Sequence, residues 1–123
     1  MSSQWIATLL QLVVGLGLLN VWLIRAKSST AYRGGQAQSL KQEFAEYGLP
    51  TWMFYLVGTS KIAAGICLIA GVWVPELVSP AAGIVVVLML GALAMHIKVT
   101  DPAIKSLPAF LMLLMSAGIL ILR

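Results

Sequence analysis

The chain has 123 residues, 60% hydrophobic and 10% charged, with mean hydropathy +0.96, whereas a soluble domain is nearer half apolar and a quarter charged. That excludes a water-soluble globular domain, and a net charge of +4 from eight scattered Lys and Arg lacks the clustered basic footprint that nucleic-acid binding requires. A single cysteine, Cys67, excludes an intrachain disulfide, a Cys-x-x-Cys pair and a cysteine-rich metal site.

The first apolar block covers residues 5–24 and meets its first positive charges only afterwards, at Arg25 and Lys27. A secretory signal peptide has a basic start, a short apolar core and a cleavage site, so this block is read as a retained span. Further blocks follow at residues 51–74, 77–97 and 103–122. Each is near the roughly 20 residues an α-helix needs to cross about 30 Å of hydrocarbon. Lipid offers the backbone no hydrogen-bond partners, so these runs are expected to be helices. The expected fold is all-α: one transmembrane domain over residues 1–123, built as a four-helix bundle.

The long connection, residues 25–50, carries Leu40, Phe44 and Tyr47 at i, i+4 and i+7, the apolar stripe of a short helix. Gly48 suits its C-terminal stop and Pro50 the entry to the next helix. This amphipathic helix is expected to lie at the membrane interface, apolar face toward lipid or bundle, with Glu43 and Glu46 on its solvated face. Arg33-Gly34-Gly35 is either a flexible turn or an anion-binding backbone nest. Val74-Pro75-Glu76 and Ser79-Pro80 separate the second and third spans into a hairpin. Asp101-Pro102 and Pro108 mark another short connection before the fourth.

Arg25, Lys27, Arg33, Lys41, Lys98 and Lys105 fall on one side of such a bundle and only Arg123 on the other. The positive-inside bias then places the long loop in the cytoplasm and both termini outside. Trp5, Trp52, Tyr55 and Trp73 near span ends fit interfacial belts. A bacterial inner membrane or a thylakoid is the expected location.

Lys61 lies about ten residues, or roughly 15 Å, into the second span. A charge at the bilayer centre costs about 2.5–3.5 kcal/mol on insertion scales, so it should face protein or water. Gly58 and Gly65 stand one turn before and one turn after it on the same face, where they let a helix approach or leave room for a small ligand. Two readings stay open: Lys61 snorkels or bonds across helices, or it marks a site. Gln11, Asn20 and Ser116 are its candidate partners. His96 ends the third span; it either caps carbonyls and meets headgroups or serves as a single axial ligand to haem or chlorophyll. No protein-only metal spacing accompanies it. Thr59, Ala63, Cys67 and Gly71 form an i+4 stripe of small residues suited to helix packing, and Gly15 and Gly17 read the same way.

Tyr47-Gly48-Leu49-Pro50, Val57-Gly58, Lys61-Ile62-Ala63-Ala64-Gly65, the Pro75 hairpin and Met89 to His96 (MLGALAMH) together resemble the DoxX-like family of small four-helix membrane proteins. The resemblance implies a four-helix bundle and, in some relatives, association with thiosulfate:quinone oxidation or thiol-stress enzymes. Eukaryotic relatives act in assembling receptors. A lone cysteine and acid-free spans remove the obvious means of unaided redox chemistry here, so electrons would need a cofactor or partner.

Three functions compete. The leading one is a non-enzymatic accessory subunit or assembly factor of a bacterial membrane complex, with a membrane-protein partner or a homo-oligomer. The second is a quinone-binding oxidoreductase component, with Lys61, Gly58, Gly65, Asn20 and His96 around a quinone; a lipid is the other candidate ligand. A small-solute transporter is the third, weakened by the lack of an evident inverted repeat and by too few intramembrane charges for an ion path.

Overall fold

The computed structural model describes residues 4–27 and 32–122, and no strand occurs among them. Helix α1 (Gln4–Leu19) continues into a π-helical turn (Asn20–Ile24). Then come α2 (Leu40–Glu46), α3 (Thr51–Ala70), α4 (Val78–Lys98) and α5 (Leu107–Leu122), with 3-10 turns at Pro75–Leu77 and Ala103–Ser106. Four helical segments, Gln4–Ile24, Thr51–Ala70, Pro75–Lys98 and Ala103–Leu122, are long and apolar enough to cross a membrane.

The second span stops four residues short of its expected end. Val74 precedes Pro75 and is extended at φ −125°, because a proline ring clashes with a helical predecessor. The chain therefore turns through Gly71 to Val74, with Val72 and Trp73 bonding to carbonyls only three residues back.

The four long helices form a square. α1 packs against α3 and α5, α4 packs against the same two, and α1 and α4 lie on a diagonal. Val14, Leu18, Leu68, Val78, Val85, Met89 and Ile119 fill the centre. Large apolar side chains also face outward, Val87 at 67% and Ile121 at 83% exposure. In water such a surface would aggregate, so its solvent is the lipid bilayer.

The α1–α3 contact depends on two glycines. A β-carbon on Gly15 would lie 2.9 Å from the Gly65 carbonyl oxygen, and one on Gly65 would lie 3.1 Å from that of Gly15. Their missing side chains let the two backbones meet.

Helix α2 has a defined start and stop. The Ser39 hydroxyl accepts from the Gln42 N–H, while the Gln42 side chain accepts from the Gln38 N–H, an arrangement close to a capping box. At the other end Gly48 takes φ +76°, Leu49 N–H donates to Phe44 O and Gly48 N–H to Ala45 O, the paired bonds of a Schellman stop. Leu40 and Phe44 are buried against Trp22, so the apolar face of α2 points into the bundle.

After α4 the same reversal occurs without a glycine. Thr100 sits at φ 54°, a costly conformation for a β-branched residue, and Asp101 N–H donates to His96 O. The reversal brings the Asp101 side chain back onto His96.

Candidate functional site

At the end of the bundle that carries the long loop lies a cavity of about 460 Å³. Leu18, Met89, Ala92, Ala109 and Met112 give it an apolar wall, and Asn20, Arg25, Arg33, Lys61, His96 and Lys105 a polar, mostly cationic one; Glu43 is the only carboxylate among the lining residues. Three residues singled out in the sequence, Lys61, Asn20 and His96, thus meet at one cavity although they come from three helices.

The other two, Gly58 and Gly65, do not line it. A β-carbon on Gly58 would lie 2.6 Å from the Trp22 ring, and Gly65 faces Gly15 and Leu18. Gly58 therefore makes room for Trp22, and Trp22 is what Lys61 meets: its ammonium stands 5.3 Å from the ring centroid, a cation–π contact. The π-helical turn, closed by Arg25 N–H donating to Asn20 O, carries Trp22 into this position. Phe44 and Phe54 pack on the same ring at centroid distances of 6.1 and 5.5 Å. Gly58→Ala is expected to displace the ring from Lys61 and to destabilise the protein by about 1–3 kcal/mol, the usual range for overpacking, measurable as a lower unfolding temperature in detergent.

Lys61 has no hydrogen-bond or ion-pair partner among the described residues. Of the expected partners, the Gln11 amide instead donates to Leu68 O at 3.2 Å, Ser116 is buried without a hydrogen bond, and Asn20 shares the cavity wall.

His96 neither caps carbonyls nor lies open to headgroups. Its Nδ1 is 2.7 Å from Asp101 Oδ2, and both side chains are almost wholly buried. Asp101 Oδ1 accepts from Gly35 N–H at 3.0 Å and lies 3.8 Å from Lys105 Nζ, which donates to Gly35 O at 2.7 Å. Lys98 reaches the Tyr47 carbonyl at 2.7 Å and Arg33 the Arg25 carbonyl at 2.8 Å. Residues 32–37 and α2 are thereby stapled over the cavity. Burial opposes the Asp101 charge, but the bonds from His96 and Gly35 and the Lys105 charge prevail and hold its carboxyl below the usual 3.8.

One expectation for the loop is corrected, and one of its two alternatives drops out. Glu43 is not on a solvated face: it lines the cavity and accepts from the Tyr47 hydroxyl at 2.8 Å. Burial first, then the Glu43 charge and this bond, push the Tyr47 phenol well above its usual range, so it stays a donor. Arg33-Gly34-Gly35 is no loose turn, since Gly34 lies under the Tyr47 ring and Gly35 binds the Asp101 carboxylate.

The small-residue stripe on α3 divides. Gly71 is buried against Val78, Cys67 packs half-buried on the core, and Thr59 and Ala63 face outward. No three His, Cys, Asp or Glu side chains converge as a metal-ligand set among the described residues.

Sequence reasoning missed Trp22, Asp101, Lys105 and the cavity role of Arg33. Trp22 lies within an apolar run that gives it no local mark, and Asp101 read as a turn residue before proline. Asp101 five residues after a helix-end histidine was the available signal, because a Schellman reversal brings those two positions together.

The profile of the DoxX-like family matches residues 21–118, a stretch that includes every lining residue of the cavity except Leu18 and Asn20. No curated protein and no solved structure matches the chain.

Proposed function

The chain belongs to the DoxX-like family, and on that premise we propose that it is a quinone-binding component of a bacterial membrane redox complex. The observation that carries this reading is Lys61, a cation without a hydrogen-bond or ion-pair partner among the described residues, on the wall of a cavity that is apolar on one side. An amphiphile with a polar carbonyl head and an apolar body complements both walls. A cationic donor aimed at a quinone oxygen strengthens its contact as negative charge develops on reduction. Electrons would come from a partner, since the chain holds one half-buried cysteine. The proposed orientation puts the long loop and α2 at the cytoplasmic interface, in keeping with the basic side chains at that end.

The accessory role and this one are compatible. The outward-facing Thr59 and Ala63 on α3, with Gly83 and Gly91 on α4, where an added β-carbon would meet nothing within 4 Å, would let a partner's helix approach closely.

The test is quinone titration of the purified protein in mild detergent, with short-tailed ubiquinone and menaquinone analogues, read through quenching of tryptophan emission. Trp22 is the one tryptophan on the cavity wall. Lys61→Met is expected to weaken binding at least about tenfold, the loss of one charge-assisted hydrogen bond. Binding unchanged by that substitution would overturn the reading.

A further inference from the structure

We propose that the cavity is a deprotonating site for a phenolic hydroxyl, that of a hydroquinone-type ligand, in which His96 takes the proton, Asp101 positions the imidazole and Lys61 faces the resulting anion. This rests on the reading that the cavity takes a quinone-class molecule, and it assigns the chemistry performed on that molecule's reduced form.

The geometry fixes the roles. An ionised carboxylate only accepts hydrogen bonds. Asp101 is held ionised by three donors or charges around it, so Nδ1 of His96 carries the hydrogen of the 2.7 Å contact. In the neutral ring the basic lone pair is then on Nε2, and His96 lines the cavity. A buried carboxylate behind an imidazole orients it and stabilises the imidazolium that forms. Asp101 is itself immobilised, with Gly35 N–H on its other oxygen.

The charges facing the cavity favour the anion. Arg25 from the end of α1, Arg33 from the loop, Lys61 from α3 and Lys105 before α5 stand against Glu43 alone from α2. Glu43 Oε1 already accepts from Tyr47, whose phenol, held protonated, does not compete with His96 as a base. In the step the ligand's O–H bond breaks, an Nε2–H bond forms, and the electron pair stays on the phenolate oxygen. No electron donor is needed, because this is a proton transfer only.

The probe is an alkyl-tailed 4-nitrophenol, whose anion is yellow, with its methyl ether as a ligand that cannot ionise. With the full chain in detergent, the bound phenol is expected to ionise at least about one pH unit below the same phenol in empty micelles, a tenfold shift. His96→Gln is expected to abolish most of that shift in the bound phenol, with the methyl ether titrated on the same variant to fix the bound fraction; a merely structural histidine would change that fraction and leave the shift of the bound phenol intact. Asp101→Asn, which keeps the shape but not the charge, is expected to lose part of it. A phenol that binds but ionises as in micelles, or a shift that survives His96→Gln, would overturn the proton transfer and leave the quinone site standing. Failure of phenol and ether to bind where quinones do also overturns it alone. If quinones fail as well, both fall.

Discussion

Asp101→Ala is expected to leave two buried donors, His96 Nδ1–H and Gly35 N–H, without their acceptor, and each such loss costs about 1–3 kcal/mol. It also frees Lys105, whose second contact at the loop is the Gly35 carbonyl. The effect on unfolding temperature in detergent should therefore exceed that of any exposed carboxylate, such as Glu76. Amide exchange at Gly35 should rise more than exchange within α4 or α5, because the damage falls on the staple over the cavity. The pH dependence has a definite sign. The Asp101 carboxyl titrates below 3.8 when folded, so protons bind the unfolded chain first. Its contribution is present in full above 3.8 and is lost as pH falls through the lower folded value. Below pH 3.8 the gap between wild type and Asp101→Ala should narrow; a gap constant down to pH 2 would show that the charge contributes nothing.

Gly15→Leu is expected to be the most damaging substitution in the spans. Its β-carbon alone would come within 2.9 Å of the Gly65 carbonyl oxygen and of Ile69 Cγ1. A backbone oxygen cannot swing aside, so α1 and α3 must separate, at about 3 kcal/mol, the upper end of overpacking costs. Leu18, one turn along, forms part of the cavity wall, so ligand affinity should fall with stability. Gly17→Ala is the control. Its β-carbon meets only Met112 Cε, at 2.6 Å, the end of a flexible chain that rotates away. Thermal unfolding should place it within about 0.5 kcal/mol of wild type. Equal losses at both positions would mean that helix propensity, not interhelical approach, governs glycine in this span.

The spans were legible because bilayer thickness selects apolar length, and four blocks of that length are separated by charges and prolines. Lys61, Asn20 and His96 were legible for the complementary reason: polar groups in lipid are costly, and those that persist share an environment. The rest depends on contacts that periodicity does not carry. Gly58 and Gly65 share a face with Lys61, yet one accommodates Trp22 and the other Gly15, because what a glycine makes room for depends on the neighbouring helix. Glu43 read as a solvated residue from the pattern of α2 alone, and only the docking of α2 turns it to the cavity. Asp101 and Gly35 are 66 positions apart, beyond the reach of any local rule.

That separation also sets an order of events during biogenesis. The chain is made N-terminus first, so the segment around Gly35 is synthesised well before Asp101 and Lys105 exist to hold it. Lys98, which secures the Tyr47 carbonyl, arrives late as well. The roof of the cavity consequently closes only after the last hairpin has entered the bilayer. Until then the basic loop lacks its Asp101 clasp, and a chain arrested after its third span would present Arg25, Arg33 and Lys61 in an unroofed three-helix assembly. The enclosed cavity is thus a property of the finished bundle alone.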